Sequence, residues 1–187
     1  DELKFYKKSV IPNLFYIFFS SLVLLYSNPF LNTTKIFTNG KGLKTILSNV
    51  SMLFHPPIIY VGYVLIITIF VISFSYLISK EKNNSAYLII IKKLANISWV
   101  MLSVGNVLGM YWAYSTPGWG GYWNWDPVEN ASLIVWIMNA ILLHTLSSLS
   151  HNANEVPLQK GGFRGIYYLY SLTMLSIFIT RSGLFSS

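Results

Sequence analysis

The sequence predicts an all-α protein, a polytopic membrane helix bundle. It has about five transmembrane helices and a Trp-rich, outward-facing loop, in a single membrane domain over residues 1–187. Two observations carry this reading. Charged residues make up 10% of the chain and hydrophobic residues 53%, whereas an ordinary soluble domain carries about 25% charge. Apolar runs close to the roughly 20 residues of a spanning helix then recur five times, joined by short polar loops. A soluble core explains any one such run, but not five in succession.

The first run, 10–27, has Pro12 near its start. The second, 57–79, is uncharged throughout. The third, 94–114, carries Gly105, Asn106 and Gly109. The fourth, 130–149, follows the Trp-rich loop at 116–130, and the fifth, 165–180, ends at Arg181. The polar connection 28–49 is the longest and has room for an interfacial amphipathic helix near 42–50. Five spans put Lys4, Lys7, Lys8, Lys80, Lys82, Lys92, Lys93, Lys160 and Arg164 on one side, and Lys35, Lys41, Lys44 and Arg181 on the other. The more basic side is the inner one, so the Trp-rich loop faces outward. The same clustering explains the net charge of +7 without nucleic acid as a partner. There is no Cys, which excludes disulfides, thiolate metal sites and a cysteine nucleophile. The chain begins at Asp1 and is expected to be processed or partial. Its richness in Ile, Asn, Lys, Tyr and Phe hints at an AT-rich, organellar genome.

The segment TPGWGGYWNWDPVEN, 116–130, packs three Trp and a Tyr into seven residues. Asp126-Pro127-Val128-Glu129 has the form of a helix start. Asp126 is the N-cap, Pro127 stands at N1, and Glu129 at N3 completes a capping box. Capping therefore accounts for both acids. An aromatic belt at the membrane surface accounts for Trp119, Tyr122, Trp123 and Trp125 only in part, because it does not explain their crowding between Gly118, Gly120 and Gly121. Those glycines let a partner approach the backbone closely. In an extended segment Trp123 and Trp125 point to one face. A platform for a large planar apolar ligand such as haem fits this pattern better.

Haem iron takes axial ligands, most often His. His55, in FHPPIIYVGY, precedes Pro56-Pro57 at the outer mouth of the second span. His144, in ILLHTL, lies 17 residues beyond Pro127, roughly 26 Å along a helix and thus inside the membrane. An intramembrane His marks a functional site by default; the alternative is a helix–helix hydrogen bond to Ser103 or Asn106. His151, in a polar loop, reads as solvated.

Together these residues resemble the haem-handling proteins that share a tryptophan-rich WWD signature. WGGYWNWDPVENASLIVW is similar to one branch, the CcmF family, haem lyase subunits of the cytochrome c maturation system. SNPF, GLKTILSNVSMLFHPPIIYVGY, ILLHTL and TRSG match further family segments in order, so the resemblance spans roughly 28–187. It implies that the protein takes part in joining haem to apocytochrome c by adding two cysteine thiols across the haem vinyl groups. It assigns Trp119, Gly120, Gly121, Trp123, Trp125 and Asp126 to the haem platform. His55 becomes an outer axial ligand and His144 a ligand of a second, b-type haem in the membrane. Arg181 is expected either to meet a haem propionate or to serve as an interfacial anchor.

In the family the second outer His follows TRSG, and the second membrane His comes later still. The chain stops at Ser187, before either. The expectation is half of each ligand pair, with the site completed by another piece of a split mitochondrial CcmF. The implied partners are membrane lipid, the remaining CcmF pieces, a haem chaperone and apocytochrome c. The implied location is the mitochondrial inner membrane, or the bacterial inner membrane, with the loop facing the intermembrane space or periplasm. The sequence offers no acid–base pair or nucleophile of its own, so no residue is assigned a catalytic role. The alternatives are a haem exporter of the CcmC or CcsA type, and a structural membrane subunit of a respiratory assembly that retains the motif.

Overall fold

The computed structural model describes residues 14, 17–26, 28, 31, 42, 48–78, 84–116, 121–151 and 162–182. They form helices, turns and loops, with no strand among them. The chain divides into two compact units, 1–43 and 44–187. The first contains the apolar helix α1 (Ile17–Tyr26); the rest of the 10–27 run lies mostly outside the described residues. The second contains α2 (Val50–Ile78), α3 (Asn84–Ser115), α4 (Pro127–His151) and α5 (Phe163–Arg181).

By length and composition α2, the Tyr87–Ser115 part of α3 and the Pro127–Ser148 part of α4 can each cross a membrane. The chain is therefore a helical membrane protein, as predicted. The fifth run is a helix of 19 residues, about 28 Å at 1.5 Å per residue. Ser171, Thr173, Ser176 and Thr180 make it less apolar than the other three.

Helix ends differ from the sequence expectation for identifiable reasons. The second helix begins at Val50, not at the prolines. Asn49 caps it, its Oδ1 accepting from the Ser51 N–H at 2.9 Å, as an N-cap amide does for N2. His55, Pro56 and Pro57 thus lie inside α2. The two prolines cannot donate to the Met52 and Leu53 carbonyls, a loss that membrane helices tolerate. Val50 belongs to this helix, and the rest of the expected interfacial helix at 42–50 lies mostly outside the described residues. Lys92 and Lys93 lie within α3, not in a loop. Long lysine stems reach from a helix surface to the interface, so helix and charge are compatible.

The four helices form an up-and-down ring in which each neighbour is antiparallel. His55 meets Gly105 and Tyr76 meets Tyr87, which sets α2 against α3. Trp99 stacks on Trp136 at 5.5 Å, placing α4 beside α3. Phe70 stacks on Tyr170 at 4.0 Å, and the Tyr63 and Ser176 hydroxyls share a hydrogen bond of 2.8 Å, which brings α5 back to α2. The core is Ile59, Ile66, Ile69, Leu102, Val135, Leu142, Leu146 and Leu169. Val64, Val100, Val107, Ile137 and Ile141 lie exposed on the outside, as suits helices bathed in lipid.

Lipid is as apolar as Leu, so small residues and hydrogen bonds, not hydrophobic burial, join such helices. Gly62 and Gly105 let α2 and α3 meet closely. A Cβ on Gly62 would lie 2.8 Å from Leu102 Cδ2, and one on Gly105 would lie 2.5 Å from Ile59 Cδ1. A buried polar chain links three helices. Ser98 Oγ donates to the Gly62 carbonyl at 2.9 Å, and Asn139 Nδ2 donates to Ser98 Oγ at 3.2 Å and to the Ala95 carbonyl at 3.3 Å. Ser98→Ala removes two of these bonds. It should lower bundle stability by about 0.6–1.7 kcal/mol, read as an earlier thermal transition in detergent; an unchanged transition would show that the chain adds nothing.

Candidate functional site

One end of the ring gathers the start of α2, the end of α3, the loop 121–126, the start of α4 and the end of α5. A cavity of about 380 Å³ opens there, lined by His55, Tyr60, Met110, Trp123, Asp126 and Arg181 among others. Ligand pockets run from about 300 to 1,000 Å³. A second, almost wholly apolar cavity of about 320 Å³ lies between α3 and α4 against Trp125 and Trp136. The two share Asn106, Met110 and Trp123.

The loop is held by the first turn of α4. Asp126 Oδ1 accepts from the Glu129 N–H at 2.7 Å, the N-cap bond that the sequence predicts. Glu129 does not close a capping box with Asp126. Its Oε2 accepts instead from the Asn124 N–H at 2.8 Å, because the chain turns before Asp126 and brings that donor within reach. Asn130 Nδ2 donates to the Trp125 carbonyl at 2.9 Å. Two side chains of the first turn of α4 thus reach back to the loop, and the loop's Asp126 caps the helix in return.

What they fix is strained. Trp125 has φ 60°, a left-handed backbone that a bulky L-residue rarely adopts and that costs roughly 1–3 kcal/mol. Its side chain is 70% exposed. The segment is therefore not extended through Trp125, yet Trp123 and Trp125 both line the apolar cavity between α3 and α4. They meet edge to face, 81° apart at 6.3 Å, with Trp123 half-buried and Trp125 largely exposed. Tyr122 stacks on Tyr114 at 4.2 Å and ties the loop to α3. Gly121 is half-buried. Trp119 and Gly120 lie outside the described residues.

His55 is seated against α3. Its Nδ1 lies 2.7 Å from the Gly105 carbonyl. A carbonyl only accepts, so Nδ1 carries the proton and Nε2 keeps its lone pair. Nε2 makes no hydrogen bond among the described residues. Arg181, the last residue of α5, donates from Nε to the Tyr60 hydroxyl at 2.8 Å, with its guanidinium carbon 5.5 Å from that ring's centre. Its terminal nitrogens have no hydrogen bond among the described residues and remain able to take an anionic group. Free donors on the rim, a free imidazole nitrogen and an apolar aromatic wall fit a flat ligand with a metal centre and an acidic edge.

His144 is not in this cavity. It stands exposed on α4, in line with Ile137 and Ile141. It has no hydrogen bond among the described residues. The expected alternative partner Ser103 is taken, since its hydroxyl accepts from Trp136 Nε1 at 2.7 Å. No three His, Cys, Asp or Glu converge among the described residues.

Sequence reasoning missed four contributors: Tyr60, Asn124, Asn130 and the seat made by Gly105 and Gly109. The Gly105-x-x-x-Gly109 spacing was a readable signal of close helix contact. No local signal pairs Tyr60 with Arg181, 121 residues apart.

This end of the bundle defines a class: a multi-span helical membrane protein with a ligand-sized cavity between a histidine and an aromatic loop. Residues 2–183 match the family of cytochrome c assembly proteins, and the chain belongs to that family. It is 40% identical over 176 residues to the cytochrome c-type biogenesis protein NrfE of Haemophilus influenzae, and 35% identical over 175 residues to CcmF of Escherichia coli. Each alignment covers 90% of this chain and 26% of the relative. The chain thus spans about a quarter of their length. A solved structure of the cytochrome c haem lyase CcmF superposes with a TM-score of 0.58 at 31% identity, covering 73% of this chain and 22% of that one.

Asp126→Ala removes the N-cap acceptor, a change that costs about 1 kcal/mol. Faster amide exchange is expected across 121–130, with the cores of α2 and α3 unaffected. Unchanged exchange in the loop would show that Asp126 does not brace it.

Proposed function

We propose that this chain is the haem-presenting part of a cytochrome c haem lyase. The observation that carries the reading is the convergence, at one end of the bundle, of His55 with its free Nε2, the braced Trp loop and Arg181. Backbone strain at an exposed Trp supports this reading, because such outliers cluster at functional sites.

In this reading haem supplies the reactive vinyl groups and iron chemistry when bound, and the protein supplies position. His55 gives one axial nitrogen. Trp123 and Trp125, with Trp119, Gly120 and Gly121, form the apolar surround, and Asp126 holds the loop in shape. Arg181, aimed by Tyr60, takes a propionate. The aromatic wall keeps the apolar edge out of water and fixes which edge faces an incoming thiol, a gain from orientation alone. His144, exposed in the membrane-spanning part of α4, gives one ligand to a second, b-type haem. The second His of each pair comes from the rest of the lyase, on whichever polypeptide that lies. The further partners are membrane lipid, a haem chaperone and apocytochrome c. The location is the mitochondrial or bacterial inner membrane, with the loop facing the intermembrane space or periplasm.

The test is the optical spectrum of the purified native complex with two variants beside it. His144→Ala should abolish the low-spin b-type signal, and His55→Ala should spare that signal while lowering holocytochrome c yield at least tenfold. A native complex without haem, or a His144→Ala spectrum identical to the native one, contradicts the assignment and favours a structural subunit.

A further inference from the structure

We propose that Gly105 and Gly109 of α3 are positioning residues for His55, fixing its tautomer and ring orientation so that Nε2 alone is offered to the ligand. This rests on the reading of His55 as an axial ligand.

The geometry is specific. Imidazole has two nitrogens, and which one binds a metal is set by the hydrogen bond that the other makes. Here the other nitrogen, Nδ1, faces the Gly105 carbonyl at 2.7 Å. Gly109, one turn on, has no side chain where the ring lies. A Cβ there would stand 2.8 Å from His55 Cε1, 3.0 Å from Nδ1 and 3.5 Å from Nε2. Cβ atoms essentially never approach a neighbour so closely, so any residue larger than glycine displaces the ring and breaks its bond to Gly105. The ring cannot retreat freely, because its own helix is packed on α3 one turn away through Ile59 over Gly105.

The consequence is electronic as well as steric. A hydrogen bond from the distal nitrogen raises the basicity of a ligating imidazole, and such bonds help to set the reduction potential of haem iron. A more basic ligand favours the ferric state, so losing the bond raises the potential.

The experiment compares Gly109→Ala with Gly62→Ala in the native membrane complex. Both add a methyl group at the same α2–α3 interface with the same 2.8 Å contact, but only Gly109 touches His55. Gly109→Ala should lower retention of haem at the loop at least tenfold and raise the reduction potential of what remains; Gly62→Ala should do neither. Equal effects from the two variants, or a Gly109→Ala complex with native retention and potential, overturns the proposal.

A second measurement does not depend on either glycine variant folding. In His55→Ala, added 4-methylimidazole can coordinate through one nitrogen and donate from the other. 1-Methylimidazole, of the same size, cannot donate. The first should restore haem at concentrations at least tenfold lower than the second, and equal rescue overturns the role of the Gly105 carbonyl. If His55→Ala keeps haem at the loop as the native complex does, the ligand reading itself fails, an outcome distinct from either glycine result.

Discussion

The close approach of α2 and α3 is the contact on which the remaining architecture depends. In lipid, two helices gain little from burying apolar side chains against each other, so backbone proximity and a few hydrogen bonds must join them. Gly62, Gly105 and Gly109 remove the side chains that would hold the backbones apart. The Ser98 and Asn139 bonds then lock the register and bring in α4. Within that register Gly105 and Gly109 decide where the His55 ring stands. The same interface that gives the bundle its stability therefore supplies one wall of the cavity.

The opposite wall is built on another principle. The loop 121–126 carries a strained Trp. It is held because Glu129 and Asn130 of the first turn of α4 reach back onto it, while the loop's own Asp126 caps that helix. An N-terminal helical turn has unpaired N–H groups, so a cap is required there in any case. Here the capping acid and its neighbours reach beyond the helix and organise the loop as well. Strain and exposure at Trp125 are tolerated because the surrounding bonds over-determine its backbone. Cavity and loop meet at Trp123, which faces both.

Much of this was legible in the sequence for physical reasons. Low charge and long apolar runs can only be satisfied in lipid, so the helical bundle followed from composition. DPVEN could be read as a helix start because N-cap chemistry is local, and Asp126 indeed caps α4. The local rules failed where chain direction mattered. The prolines at 56 and 57 read as a helix start, but Asn49 caps the helix earlier and carries His55 into it. Trp123 and Trp125 read as an extended pair, but the left-handed backbone at Trp125 sets their rings edge to face. The pairing of Arg181 with Tyr60 and the seat of His55 on Gly109 are tertiary facts, set by how antiparallel helices slide past one another.

The most direct test of the central claim is a cryo-EM map of the native complex with haem bound at the loop. The proposed haem site predicts density bonded to His55 Nε2, walled by Trp123 and reaching Arg181 at its acidic edge. An empty cavity, or haem at the loop ligated without His55, would contradict it.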